Sequence, residues 1–346
     1  MKTAMKLLTF VLTLALILTS FAEEAPVSVT ITAVGDCALG GLAFHPDSGQ
    51  EAFEEYAAKY GYDYYFSRVA SIFEADDFTV INLECPLTLE AGEKIGHRFL
   101  LRGNPKNARI MACSSVEVAN VANNHTHDFG EDGFEETVSS VTSAGVGVCG
   151  YDLVYYARKD DVTVGFVGFS EWEMTQAEMV SVTRTARESC DLLIASYHGG
   201  IELTRDMTRT ERENCRAIVD AGADLVIGNH SHVYGTIERY QNRYIIGSLG
   251  NFCFGANSRP KDFECVIFQQ TFLVSPGKSV EDAGINLIPA LISTAKDTNN
   301  CQPAPMRPDW RAKNLLSTLF WLADFKADEI RWMENSYPIQ NRLVIP

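Results

Sequence analysis

The stretch ADLVIGNHSH, residues 223–232, joins a short apolar run to two closely spaced histidines. Ala223–Ile227 has the length and composition of a buried strand, and Gly228 marks the place where that strand ends. His230 and His232 therefore lie at a turn, where their imidazoles can approach a common point from different directions. Two histidines alone are a weak indication of a metal site, so the rest of the chain has to supply further ligands.

Four other segments repeat this pattern, with a ligand-type residue directly after an apolar, strand-like run. They are Gly35-Asp36 after Val29–Val34, Asn82-Leu83-Glu84 after Phe78–Ile81, Asn123-Asn124-His125 after Val116–Ala122, and His198-Gly199 after Leu192–Tyr197. Strand ends of open α/β sheets meet at one edge, where active sites form. A carboxylate pair, an amide and several histidines at such positions predict a site for two divalent metal ions.

Helices and strands alternate from residue 27 to about 255, after which strands cluster. Apolar spacing predicts helices near 50–60, 63–75, 131–144, 175–188 and 208–221, hairpins within 155–169 and 233–249, and a longer strand at 263–273. This order favours two sheets stacked between helical layers. Residues 295–309 have the composition of a loop. A final amphipathic helix over 312–333 is expected to pack on the domain, with partner binding as the alternative.

Composition limits the class of protein. The 346 residues are 46% hydrophobic and 21% charged, which is ordinary for a globular chain with a sizeable core. The formal net charge of −16 argues against general binding to nucleic acid or to anionic lipid. An anionic substrate would need metal ions or a few arginines at its binding site.

Residues 1–22 have the pattern of a secretory signal peptide. Lys2 and Lys6 precede the apolar run Leu7–Leu18, and Ser20-Phe21-Ala22 matches a small-x-small cleavage site. The run is short for a membrane span, although an uncleaved anchor stays the alternative. The mature chain is therefore expected outside the cytoplasm, secreted or at the cell surface.

The nine cysteines are irregularly spaced and include no C-x-x-C pair, which excludes zinc-ribbon and thioredoxin-like sites. Most lie in apolar elements, as buried thiols do, yet an extracytoplasmic chain also permits one or more disulfides. Both arrangements stay open at this point.

The two carboxylates differ in how strongly they indicate a ligand. Asp36 after Gly35 is an ordinary turn pair, but at a strand end it also supplies a hard oxygen ligand. Glu84 directly follows an apolar strand and is poorly placed for hydration, which suits a bridge between two metal ions. Its alternative is a salt bridge to Arg98 or Arg102. Arg98 also has the charge to face an anionic group of a substrate.

The other polar residues also have two interpretations. Asn124 offers an amide oxygen without adding charge, which leaves His125 available as a general acid, and Asp128 is placed to orient an imidazole. A helix cap is the alternative for the asparagine. Ser248 and Asn251 end a later strand, where they either contact substrate or turn the chain.

These segments resemble those of the capsule-synthesis protein CapA family, which is associated with poly-γ-glutamate synthesis. The likeness runs from about residue 29 to 256. Its markers are Val34-Gly35-Asp36, Asn82 through Leu87, Ala122 through Gly130, His198-Gly199 with Glu202, Gly228 through His232, and Ser248 through Phe252. That family is similar in fold to calcineurin-like metallophosphoesterases. The resemblance implies a four-layer α/β/β/α sandwich over 27–275, with 276–346 as a C-terminal extension packing on it.

The resemblance also implies two divalent metal ions, which the mixed oxygen and imidazole donors would allow to be manganese, iron or zinc. The implied ligands are Asp36 and His232 for the first ion, Asn124, His198 and His230 for the second, and Glu84 for both. His125 would be the proton donor. The phosphoesterase pattern has Asp-x-His at its first motif, whereas this chain has Ala38 in the histidine's place, so the first ion loses a ligand.

Two functions are compatible with these residues. The first is an extracytoplasmic metal-dependent hydrolase that cleaves a phosphoester or an amide of an anionic polymer, with His125 protonating the leaving group. The second is a non-catalytic accessory protein that binds, anchors or exports poly-γ-glutamate. It would act beside the capsule-synthesis machinery at the membrane. Neither function involves nucleic acid.

Overall fold

The computed structural model describes residues 25–44, 50–91, 99–277, 279–323 and 343–345. The predicted signal peptide over 1–22 and the predicted substrate contact Arg98 lie outside these ranges. Within the described residues, no helix is both long and apolar enough to cross a membrane.

The described part of the chain contains seventeen strands and seven α-helices. The strands are β1 Val27–Ala38, β2 Gly41–Leu42, β3 Phe78–Leu83, β4 Leu101–Arg102, β5 Val118–Asn120, β6 Gly147–Cys149, β7 Tyr155–Lys159, β8 Val162–Ser170, β9 Leu192–His198, β10 Leu225–Asn229, β11 Ile237–Tyr240, β12 Arg243–Ile246, β13 Asn251–Phe254, β14 Glu264–Val274, β15 Val280–Leu291, β16 Ala304–Pro305 and β17 Leu343–Ile345. The helices are α1 Gln50–Tyr60, α2 Ala70–Phe73, α3 Ala108–Ala112, α4 Gly130–Ser143, α5 Gln176–Arg187, α6 Arg209–Asp220 and α7 Trp310–Leu322, and 3₁₀ turns span Tyr62–Tyr64 and Pro105–Asn107.

The strands form two large sheets and a two-stranded ribbon of β2 and β4. The first sheet has the order β16-β15-β14-β1-β3-β5-β6, with β13 beside the end of β1 and β17 beside β15. The second has the order β11-β12-β10-β9-β8-β7. Strands β1, β3, β5 and β6 run parallel in the first sheet, as do β8, β9, β10 and β12 in the second. Each parallel set therefore gathers its strand ends at one edge.

Alternation along the strands separates the layers. In β9, Leu192 and Ile194 join the apolar cluster between the sheets, whereas Leu193 and Ala195 join the cluster beneath α5 and α6. A third cluster lies between the outer face of the first sheet and α1 to α4, with Phe53 among its members. The predicted four-layer α/β/β/α sandwich is confirmed.

The largest difference from the predicted elements is β15. No strand is expected over these residues, which include Gly284 and Pro289, yet β15 pairs with β14 from Glu264 opposite Leu291 to Val274 opposite Val280. Pairing with a long neighbour thus overrides a weak local preference. The boundary at residue 275 stays a prediction.

Two other predicted elements also differ from the structure. The helix expected over 63–75 is a 3₁₀ turn followed by the four-residue α2, and the strand expected over 116–122 shortens to β5. The final helix begins at Trp310, and its Leu315, Leu316 and Leu319 are buried in the cluster between the sheets. Residues 324–333 of that predicted helix lie outside the described ranges.

All nine cysteines are free thiols, and seven of them are buried. The predicted buried thiols are therefore observed, and the described residues, which include all nine cysteines, contain none of the disulfides that were the alternative.

Candidate metal centre and active site

The edges formed by the two parallel sets of strands face each other and bring the predicted ligands together. Asp36 lies near the end of β1, and Glu84 directly follows β3. On the opposite sheet, His198 is the last residue of β9, and His230 directly follows β10. Each side chain is therefore positioned by a buried strand, in the way that the sequence pattern predicts.

The ligand atoms fall into two groups that share Glu84. One group is Asp36, Glu84 and His232, and the other is Glu84, His198 and His230; within each, the ligand atoms lie within 4.8 Å of one another. His232 Nδ1 is 3.2 Å from Asp36 Oδ2, and His198 Nε2 is 3.5 Å from Glu84 Oε1. The carboxylates and histidines that the resemblance implies as ligands therefore lie together, and Glu84 is common to both groups.

Glu84 is the residue whose surroundings most clearly need a cation. Its side chain is fully buried, and neither carboxylate oxygen has a hydrogen-bond partner among the described residues. Burial, followed by the nearby Asp36 carboxylate, raises the pKa of Glu84 well above its usual range. His230 Nδ1 is also buried without a partner in this part of the chain. A buried polar atom without a partner is costly, and a divalent ion would satisfy all three atoms. The residues present therefore fit a metal centre.

The histidines have the electrostatics of metal ligands. Burial lowers the pKa of His198 well below its usual range and that of His230 to about 4, which leaves both neutral, as metal binding requires. Burial also lowers the pKa of His232, but the hydrogen bond and charge of Asp36 outweigh it, so the pKa of His232 is raised. His230 and His232 have φ angles of 96° and 58°, in the left-handed region that costs energy for any residue with a Cβ. Such strain concentrates at functional sites.

Asn82 joins the ligands of the two sheets, although the sequence pattern assigns it no role. Its Nδ2 donates to Asp36 Oδ1 at 2.8 Å and lies 3.0 Å from His198 Nδ1, while its Oδ1 accepts from Asn120 Nδ2 at 2.8 Å. It therefore holds two ligands at a fixed separation. The sequence feature that could have indicated this role is its position two residues before Glu84, because residues two apart in an extended segment point to the same side.

His125 and Asp128 form a separate pair at the mouth of the site. His125 Nδ1 is 2.8 Å from Asp128 Oδ2, and the Leu101 N–H donates to the same oxygen at 2.6 Å. With the carboxylate oxygen as acceptor, the hydrogen of this contact lies on Nδ1, and Asp128 together with Leu101 orients the ring. The His125 side chain is 12% exposed, so a substrate can reach it.

Asn124 and Trp172 complete the surroundings of the second group. Asn124 Oδ1 is 2.8 Å from His198 Nε2. The Trp172 ring packs edge-on against His230 at 4.6 Å between centroids, and about half of this residue is exposed. No pattern in the sequence predicted Trp172, because its place depends on how the loop after β8 folds.

The site opens into a cleft of about 400 Å³, which includes His125, His232 and Asn251 in its lining. Asn251 Oδ1 is 2.9 Å from His232 Nδ1, so this predicted substrate contact also orients a ligand. Ser248 does not line the cleft: it is buried, and its hydroxyl accepts from the Gly250 N–H at 3.1 Å. This contact is one that a turn makes, and a contact of Ser248 with substrate stays a prediction.

Residues 30–256 match the family described as "Bacterial capsule synthesis protein PGA_cap". The chain belongs to this family. Its predicted resemblance to CapA proteins is confirmed. The "PGA biosynthesis protein CapA" of Bacillus subtilis (strain 168) is 28% identical over 225 residues, which cover 58% of this chain and 59% of that protein. The "Capsule biosynthesis protein CapA" of Bacillus anthracis is 26% identical over 264 residues, covering 68% and 62%. The chain thus spans about three fifths of the length of these curated relatives.

Among solved structures, the NAD nucleotidase (NadN) of Haemophilus influenzae aligns with a TM-score of 0.44 and 10% sequence identity. The alignment covers 86% of this chain and 64% of that one.

Ala38 distinguishes this member of the capsule synthesis family from the phosphoesterase pattern. It is fully buried and pairs in register with Phe254, whose ring lies 5.0 Å from that of His232. Among the described residues, His232 is the one imidazole grouped with Asp36 and Glu84. The first group therefore has three clustered donors from the protein.

Proposed function

We propose that this chain is a divalent-metal-dependent hydrolase of capsule or poly-γ-glutamate biosynthesis. It acts outside the cytoplasm on a phosphoester or on an amide of an anionic polymer. One observation carries the proposal: two ligand groups share Glu84, whose two oxygens are buried without a hydrogen-bond partner in the described structure. Membership in the capsule synthesis family supplies the biological setting.

The donor set suits two divalent ions. The first would be held by Asp36, Glu84 and His232, and the second by Glu84, His198 and His230 with Asn124 beside them. Mixed carboxylate and imidazole donors suit manganese, iron or zinc. When bound, such ions polarise a phosphoryl or carbonyl oxygen and lower the pKa of water.

The chain's own residues account for proton transfer. The Asp128 carboxylate accepts a hydrogen bond from Nδ1 of His125 and a second one from the Leu101 N–H. These two hydrogen bonds orient the imidazole. His125, protonated at Nε2, donates that proton to the atom that leaves, which is oxygen in a phosphoester and nitrogen in an amide. General acid catalysis by a positioned side chain contributes about 10²–10⁴-fold to the rate.

Metal analysis and turnover of matched variants test the proposal. His125→Ala should keep its metal ions but lose turnover of a generic phosphodiester, or of poly-γ-glutamate, by about 100-fold or more. His127→Ala is the control, because this histidine lies on the same loop but pairs with Glu131 and Glu173 away from the ligands. A protein that binds no metal, or that binds metal without cleaving either substrate, contradicts a hydrolase.

A second candidate is a non-catalytic accessory protein whose metal site binds carboxylates of poly-γ-glutamate beside the capsule-synthesis machinery at the membrane. Ala38 favours it, because the first group lacks the second donor of the Asp-x-His pattern. Binding of both metal and polymer without turnover would support this candidate.

A further inference from the structure

The cleft beside the metal ligands has a largely apolar wall. Leu42, Phe99, Leu101, Leu203 and Phe254 all line it. Phe99 and Leu203 are 54% and 52% exposed, although large apolar side chains usually avoid water. Apolar side chains that converge on a concave surface next to reactive groups are typical of a ligand-binding wall.

Apart from the metal ligands, the charged residues that line this cleft do not favour a polyanion. Among its described lining residues, Lys261 is the one lysine or arginine, whereas Glu202 and Asp262 are acidic. Asp262 is paired with Arg205 at 2.8 Å, and Glu202 adds a negative charge at the mouth. A chain of carboxylates would place charges against apolar side chains without partners, which costs desolvation energy.

The proton donor determines which part of a substrate meets the apolar wall. Leu101, whose N–H donates to Asp128, pairs with Leu42 in the two-stranded ribbon. The same ribbon therefore helps to orient His125 and supplies the apolar wall beside it. A group that takes its proton from His125 leaves towards Leu42 and Leu101.

We infer that the substrate is a phosphoester whose leaving group is an alcohol with an extended apolar body, rather than poly-γ-glutamate. The inference rests on the proposed function, because it locates the leaving group from the proposed proton donor. In the reaction, the oxygen of water bonds to phosphorus and the bond from phosphorus to the alcohol oxygen breaks. That oxygen receives the proton of His125, and the imidazole regains one from the water, giving free alcohol and phosphate.

Alkyl phosphates of different length test the inference, since their alcohols leave with similar intrinsic ease. Burying one methylene completely is worth roughly fourfold in an equilibrium constant. In an open cleft we expect about half that free energy, or roughly twofold per methylene. The kcat/KM of octyl phosphate should therefore exceed that of methyl phosphate by about 100-fold in the metal-reconstituted protein.

Two variants locate the effect. Phe99→Ala removes part of the wall and should reduce the octyl preference about fivefold, since an aromatic ring presents a large apolar area. Trp310→Ala is the matched control, because this residue is 77% exposed and does not line the cleft. An equal loss of preference in both variants would overturn the assignment to the cleft.

Binding of octylphosphonate and methylphosphonate, measured by calorimetry, separates this inference from the proposed function. Neither compound has a bond from phosphorus to an alcohol oxygen. Octylphosphonate binding about 100-fold tighter, without hydrolysis of any phosphate ester, would uphold the apolar cleft and overturn the hydrolase. Equal binding of the two phosphonates, or cleavage of poly-γ-glutamate in preference to octyl phosphate, would overturn the inference and leave metal-dependent hydrolysis standing.

Discussion

Glu84→Gln tests whether the buried carboxylate serves a metal ion or the fold. In the metal-free protein, both Glu84 oxygens are buried without a hydrogen-bond partner among the described residues, and the Asp36 carboxylate is close by. Glutamine keeps the shape, removes the cost of either protonating Glu84 or holding its charge beside Asp36, and offers an amide N–H to Asp36. We therefore expect the variant to be more stable than wild type in a metal chelator.

The magnitude follows from the cost of a buried, unsatisfied polar group, which is about 1–3 kcal/mol. Asp36 keeps its own partners, the Asn82 amide and the His230 N–H, so the free energy of unfolding should rise by about 2 kcal/mol. Bound metal ions should reverse which of the two proteins is the more stable. At a hundred times Kd, each ion stabilises the wild type by about 2.7 kcal/mol, and a shared ligand affects both sites. Wild type should then be the more stable by about 3 kcal/mol.

Urea unfolding of both proteins, with EDTA and with saturating Mn²⁺, measures the sign of this difference. Glu238→Gln is the control, because Glu238 is equally buried but pairs with Arg212 and Arg216. Glu238→Gln should lower the free energy of unfolding by the same amount in EDTA and in Mn²⁺. If Glu84→Gln is less stable than wild type in EDTA, or if Mn²⁺ stabilises the variant as much as wild type, the carboxylate serves the fold and not a metal ion.

Substitutions at three further positions probe the site and the sheet beside it. Ala38→His should lower the free energy of unfolding in EDTA by about 2 kcal/mol, because the alanine is fully buried. The added imidazole should tighten metal binding at the first group at least tenfold, as measured by calorimetry. An unchanged metal affinity would contradict the interpretation that this group lacks a ligand. Trp172→Ala should weaken the second ion about tenfold by removing the ring packed on His230, while Trp172→Phe should not. Burial raises the pKa of Asp76 from 3.8 to about 7, so its protonated carboxyl adds stability that is complete below pH 3.8 and lost as the pH rises through 7. Asp76→Asn should reduce the difference between the free energies of unfolding at pH 4 and pH 8 by about 2 kcal/mol, a figure that includes screening by solvent. Urea unfolding in EDTA at the two pH values measures this difference. The same difference in variant and wild type would contradict the raised pKa.

Strand ends could be predicted from the sequence because a local rule locates them. A buried strand is an apolar run, and the first polar residue after it lies at the edge of the sheet, as Asp36, Glu84 and His198 do. The parts that escaped prediction depend on distant contacts. Strand β15 exists because β14 pairs with it, and Trp172 reaches His230 through the path of a loop. Neither contact leaves a periodic signal in its own segment.

The site carries costs that a simple carbohydrate- or polymer-binding surface would not need. His230 and His232 have left-handed backbones, which cost about 1 kcal/mol or more each, and Glu84 lacks hydrogen-bond partners in the described structure. Metal binding offsets these costs, but it serves an accessory protein as well as a hydrolase. The pair that distinguishes them is His125 and Asp128, since metal binding does not require a buried carboxylate that orients an imidazole at the mouth of the cleft. Proton transfer to a leaving group does require one, so the response of turnover to His125→Ala, with the metal ions retained, decides between the two functions.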